Sequence, residues 1–222
     1  MQCIILDTET TGLKSNIPIE IAYGSLEIQG LDIEFKAIFN GRFNPGIPIE
    51  LGALATHHIM DEDLIGLPPY SDSQLLLGGT DYMVGHNIDY DWKTLGSLDV
   101  KRICTLALSR SVWPDIDSHT QSALLYHIAR EEAREILKNA HSAAIDIKIC
   151  YCILKAMWPM LGSPTTFEEL WLLSESARIP KKITFGKHAG MLINEIPLSY
   201  RQWLMKQTDM DPYLIKAVSI TM

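Results

Sequence analysis

The sequence predicts an α/β protein: a mixed sheet with helices on its faces, followed by a small C-terminal α/β appendage. Three observations predict it. The first forty residues hold three apolar, strand-like segments joined by polar turns. From residue 82 onward, short strand-like segments alternate with helix-like ones. Pro159, Gly162 and Pro164 then break the chain, and the charge balance changes beyond them.

Taken in order, residues 2–7 read as a short buried strand, apolar until Asp7. A polar turn with Gly12, Ser15 and Asn16 follows. Residues 17–28 and 33–40 are two further strands, with Gln29-Gly30 between them marking a hairpin-like turn. Residues 43–48 are a Pro/Gly loop. Helical pieces are expected at 50–59, 61–66 and 71–79, the last ending on glycine. A buried strand at 82–85 leads to a helix at 89–96, and a strand at 102–104 to a helix at 105–113. Another helix covers 120–130, and the longest runs from about residue 142 to 158. The break at 159–164 separates a domain at 1–160 from a module at 165–222.

Composition bounds the function. The 222 residues are 47% hydrophobic and 21% charged, the balance of a protein with a sizeable core. No apolar run of about 18 residues and no basic-then-apolar start is present, so the expectation is a cytoplasmic protein without a membrane partner. Cys3, Cys104, Cys150 and Cys152 lack disulfide-framework or zinc-ribbon spacing and read as reduced thiols. The net charge of −8 argues by itself against a nucleic-acid partner. Its distribution softens that: residues 181–222 carry +3 and residues 1–180 carry −11.

The first strand finishes with Asp7 and Glu9, which a period of two turns to the same side. Two close carboxylates raise each other's pKa and cost stability. A solvated turn is one reading of DTETTG; a divalent cation, which takes hard carboxylate oxygens, is the other. More acids favour the cation. GHNIDYDW at 85–92 places Asp91 near a helix start, with His86 and Asn87 in the turn and Asp89 as a neighbouring acid. NAHSAAID at 139–146 places His141 before the longest helix and Asp146 on its first turns.

Together, Asp7-x-Glu9, His86-Asn87-x-x-Tyr90-Asp91 and His141-x4-Asp146 resemble the three motifs of the DnaQ-like 3′-to-5′ exonucleases, in the class whose third motif carries histidine. ATHHI at 55–59 resembles a further segment of that family, with His58 where many members have glycine. The resemblance covers residues 2–158. ITFGKHAG at 183–190 and the Tyr200-x-x-Trp203-Leu204 run resemble the C-terminal part of the bacterial exodeoxyribonuclease X group.

The resemblance implies a ribonuclease-H-like fold and metal-dependent hydrolysis of DNA from the 3′ end, releasing nucleoside 5′-monophosphates. It implies two Mg²⁺ ions, replaceable by Mn²⁺, held by Asp7, Glu9, Asp91 and Asp146, with Asp7 bridging. It makes His141 the general base. Thr10, Leu13, His57 and Asn87 are candidate contacts to the 3′ end. Leu13 has a core position as its alternative, and His57 and Asn87 have loop ordering. Lys187 is a candidate phosphate contact, with a solvated basic face as its alternative. The implied partner is DNA, as single-stranded 3′ ends or duplex. An RNA-trimming enzyme of the ribonuclease T or oligoribonuclease kind is the second reading, and an inactive exonuclease fold serving as a binding module the third. Oligomeric state is open.

Overall fold

The computed structural model describes residues 2–139 and 142–221. Five strands form one sheet in the order β3-β2-β1-β4-β5: β1 (Cys3–Thr10), β2 (Pro18–Gln29), β3 (Asp32–Arg42), β4 (Tyr82–Gly85) and β5 (Lys101–Cys104). β1–β3 are the antiparallel meander expected from the sequence, and β4 and β5 add in parallel on the other side. The central strand is buried on both faces, with Cys3, Ile4, Ile5 and Leu6 at most 2% exposed.

The helices are α1 (Leu51–His57), α2 (Asp89–Thr94), α3 (Thr105–Val112), α4 (Gln121–Ile128), α5 (Arg130–Ile136), α6 (Ala143–Met157), α7 (Phe167–Ala177), α8 (Leu198–Leu204) and α9 (Pro212–Ile220). α6 packs across the meander. Its Tyr151 ring stacks on Phe35 at 5.3 Å and donates its hydroxyl to the Ile33 carbonyl at 3.1 Å.

Several expectations shift. β1 runs through Asp7 and Glu9 to Thr10, so both acids lie inside the strand rather than at its end. The pieces expected at 61–66 and 71–79 are 3₁₀ turns, Asp61–Leu64 and Tyr70–Leu77. α5 had no counterpart in the sequence reading; Ala129, with an extended φ of −149°, separates it from α4. His58 closes α1 in the left-handed conformation, φ 59°, donating its N–H to Leu54 O at 2.9 Å. That is the position glycine fills without penalty.

The chain divides into two compact units, Met1–Ser174 and Glu175–Met222. The division falls beyond the break expected at 159–164. Pro159–Leu161 is one 3₁₀ turn closed by Gly162 at φ 82°. The first turns of α7 belong to the first unit because they cover the β4–β5 edge. Phe167 packs on the Tyr82 ring at 5.8 Å, Tyr82 donates its hydroxyl to Glu168 at 2.7 Å, and Ser174 accepts the Cys104 N–H at 2.8 Å.

The second unit has its own apolar cluster of Ile183, Ile193, Ile196, Leu204, Leu214 and Val218. α9 is capped by Asp211, which accepts the N–H groups of Tyr213 and Leu214. Among its described residues the unit shows helices and a single antiparallel bridge, Lys182 with Leu192, rather than strands. Lys187 is exposed here, its Nζ 5.5 Å from the Tyr200 ring centre.

Candidate active site

β1 presents Asp7 and Glu9 from the middle of the sheet, and the first turns of α6 present Asp146. One ligand oxygen from each of the three lies within 4.8 Å of the others. Asp91, on α2, is 4% exposed. It is tied to β1 by Thr8, whose N–H and hydroxyl both donate to Asp91 Oδ1, at 3.0 and 2.7 Å.

The electrostatics follow from this crowding. Burial, then Asp91, Asp146, Glu9 and Glu20, push the Asp7 carboxyl well above the usual range. Burial and the same neighbouring acids push Glu9 up to about 8. Burial raises Asp91 to about 7, against the downward pull of its Thr8 hydrogen bonds. Carboxylates packed this closely ionise together only with a cation among them. Their donors are hard oxygens, the kind that Mg²⁺-like ions take, so the residues fit a divalent metal.

Asp89, the neighbouring acid, is committed elsewhere: it forms an ion pair with Arg102, whose guanidinium lies 3.9 Å from the Trp92 ring centre. His141 lies outside the described residues. His86 is bound to Thr105 Oγ1 at 3.0 Å and the His119 carbonyl at 2.8 Å. Burial lowers its pKa to about 4, so it is a neutral structural histidine.

Beside Glu9 lies a cleft of about 380 Å³ whose walls include Thr10, Leu13, Glu50, His57 and Tyr90. Leu13 is 83% exposed, which removes the core alternative for it. The cleft's floor is rigid. Thr10 shares a 2.7 Å hydrogen bond with the Tyr90 hydroxyl. His57 Nδ1 accepts the Ile59 N–H at 3.0 Å, so its neutral ring donates Nε2–H to the Thr10 carbonyl at 3.2 Å. Both ring nitrogens are thus engaged in ordering the wall. Gly12, at φ 140°, leaves room for Glu50: a Cβ there would fall 2.4 Å from Glu50 Cδ. Asn87, also exposed, takes φ 66° in the turn ahead of α2 and accepts the Tyr90 N–H at 3.0 Å. A second cleft, about 570 Å³, meets the acidic group at Asp146 and is lined by Arg110, His119 and Gln121.

The sequence reading missed Glu20. Its carboxylate is 3% exposed and stands opposite Glu9 across the β1–β2 ladder. Period-two alternation placed it on β2, but nothing local signalled its neighbours.

No family model matches this sequence. The chain is similar to exodeoxyribonuclease 10 of Escherichia coli K12, 27% identical over 214 residues, covering 95% of this chain and 94% of that one. It is similar to the DNA polymerase III epsilon subunit of Buchnera aphidicola from Acyrthosiphon pisum, 28% identical over 162 residues, 64% of this chain and 67% of that one. Among solved structures it matches exonuclease X in complex with 5′-overhanging duplex DNA, with TM-score 0.61 and 26% identity over 78% of this chain and 99% of that one. The zinc-bound complex of E. coli exonuclease I with single-stranded DNA matches with TM-score 0.59 at 14% identity, over 72% of this chain and 40% of that one, a likeness of fold.

Proposed function

We propose that this chain, a DnaQ-like exonuclease, is a metal-dependent 3′-to-5′ exodeoxyribonuclease releasing nucleoside 5′-monophosphates. The observation that carries the reading is the acidic cluster itself: Asp7, Glu9 and Asp146 within 4.8 Å, with Asp91 pinned alongside by Thr8. The retained carboxylates argue against a binding module that has lost its chemistry. The likeness along 95% of the chain to an exodeoxyribonuclease favours DNA over RNA.

Asp7, Glu9, Asp91 and Asp146 are the residues that would hold the metal, and Mg²⁺, with Mn²⁺ as substitute, is the ion we propose. A divalent ion held there would stabilise the charge that develops on a phosphodiester and lower the pKa of a bound water, easing the deprotonation that makes it a nucleophile. His141 is proposed to take the proton from the attacking water. An imidazole near its ordinary pKa of about 6.5 suits that task. Leu13, exposed on the cleft wall, is proposed to wedge against the terminal base, and Thr10 to shape the same cleft. His57 and Asn87 act there through the loops they order. Lys187 is proposed to neutralise a backbone phosphate from the second unit.

The test is hydrolysis by the full-length protein with Mg²⁺ or Mn²⁺ on single-stranded DNA, duplex DNA and RNA, each labelled at the 3′ or the 5′ end. The expected result is immediate release of 3′ label as mononucleotide, with ladders shortening from the 3′ end. Cleavage of RNA alone would transfer the reading to the RNA-trimming alternative. No hydrolysis of any substrate with a folded, metal-bound protein would overturn it. Replacing His141 with alanine is expected to slow hydrolysis roughly 10²–10⁴-fold and leave Mn²⁺ binding nearly intact. A collapse of metal affinity would instead make it a ligand.

A further inference from the structure

Glu20 on β2 faces two ways. Its Oε1 accepts the Arg42 Nε–H at 3.0 Å, from the residue opposite it on β3. Its Oε2 accepts the backbone N–H of Ala143 at 3.0 Å. Ala143 is the first residue of α6, and Ser142, the residue in the capping position, makes no side-chain cap bond. The helix start is therefore capped from another element, by a carboxylate 123 residues earlier in the chain. A carboxylate there satisfies one of the orphan donors of the helix start and complements its dipole.

Asp146 follows Ala143 by a single turn, so the placement of that turn sets where its carboxylate falls. Glu20 is also the β2 partner of Glu9. One buried side chain thus references α6 to the strand pair that carries Asp7 and Glu9.

We propose that Glu20 is a positioning residue for the acidic site: by anchoring the N-terminal turn of α6 to β2, it sets the reach of Asp146 toward Asp7 and Glu9. The effect on turnover rests on the exonuclease reading; the effect on metal binding does not.

The experiment uses full-length protein with Glu20→Ala, Glu20→Gln and Glu20→Asp. Three quantities are measured: Mn²⁺ binding by calorimetry, amide exchange at Ala143, and kcat and KM on 3′-labelled DNA. Supporting groups behind metal ligands are worth about 10–100-fold in affinity or activity. For Glu20→Ala the expected result is a loss of Mn²⁺ affinity and kcat in that range, faster Ala143 exchange, and little change in KM. Glu20→Gln keeps an oxygen of the same reach and is expected to recover most of the Mn²⁺ affinity. Glu20→Asp keeps the charge but is one methylene short, and is expected to bind Mn²⁺ less well than Glu20→Gln. That ordering decides the matter even where Glu20→Ala does not fold. The proposal is overturned by a folded Glu20→Ala with parental Mn²⁺ affinity, or by Glu20→Asp outperforming Glu20→Gln. If the ordering in Mn²⁺ affinity holds while no variant nor the parent cleaves DNA, the exonuclease reading falls and the positioning role stands.

Discussion

Thr8 donates twice to one oxygen of Asp91, through its backbone N–H at 3.0 Å and its hydroxyl at 2.7 Å. The contact spans 83 residues and joins β1 to α2, so the carboxylate from the second motif is held against the strand bearing the first. Removing the hydroxyl with Thr8→Val leaves the N–H bond and the side-chain volume. The expected cost is about 1 kcal/mol in stability, the usual worth of one such bond. Asp91, already raised to about 7, loses a donor that favours its ionised form. Mn²⁺ affinity is therefore expected to fall more at pH 6.5 than at pH 8.5. Calorimetric titration at both pH values checks this, and equal losses would contradict it.

The two neighbouring acids of α2 separate cleanly. Asp91→Asn is expected to abolish hydrolysis while leaving a folded protein. Asp89→Asn breaks the pair with Arg102, which is partly solvent-exposed. Pairs of that kind contribute under about 1 kcal/mol, and the site's carboxylates are untouched, so turnover is expected to stay near parental. Steady-state rates and melting curves of the two variants decide it. Activity surviving in Asp91→Asn and lost in Asp89→Asn would reverse the roles.

Without metal, stability should fall as pH rises. Glu9 is raised to about 8 and Asp91 to about 7, against about 4 in an unfolded chain. Between these values the folded state binds more protons than the unfolded state. Its stability is full near pH 4, declines through the window, and is lowest above about pH 8. Divalent metal needs the ionised carboxylates, so its stabilising effect should grow over the same range. Melting temperatures in chelator and in Mn²⁺, from pH 5 to 9, are expected to diverge with pH. Parallel curves would mean that the acids are not linked to the metal.

The position of the unit boundary has its own test. Truncation after Ser174 keeps Phe167, Glu168 and Ser174 against the β4–β5 edge. Truncation after Met160 removes them and leaves the buried Cys104 N–H without its acceptor. An orphaned buried donor costs about 1–3 kcal/mol, so the shorter protein is expected to melt lower. Equal melting temperatures would place the boundary back at the Pro/Gly break.

Much of this was legible in the sequence, for reasons specific to its parts. Apolar runs marked β1 and β4, which are buried on both faces, and the Gln29-Gly30 turn helped to mark β2 and the largely exposed β3. The acids were legible because three short motifs repeat a known spacing. The spacing from His86 favours Asp91 over its neighbour Asp89, and the structure adds that Thr8 binds Asp91 while Arg102 pairs with Asp89. α5 escaped because REEAREI is charged along most of its length and its helix is exposed except at Ala133. The division into compact units falls after Ser174 rather than at the Pro/Gly break, since proline and glycine mark a turn whether or not a domain ends there. Here the aromatic ring of Phe167 and the hydroxyl of Ser174 carry the chain back onto the sheet. Glu20 was invisible because its partners, Arg42 and Ala143, are distant in sequence and one of them is a backbone group.

The wide separation of Glu20 from Ala143, and of Asp7 from Asp146, also orders events during synthesis. Translation proceeds at about 5–20 residues per second, so Asp7 and Glu9 emerge roughly ten seconds before Asp146 is made. A nascent chain that has not yet reached α6 lacks the Asp146 carboxylate, and Glu20 on β2 has no helix start to cap. The acidic group therefore stays incomplete until α6 has been made and has docked, with α7 and the second unit still to follow.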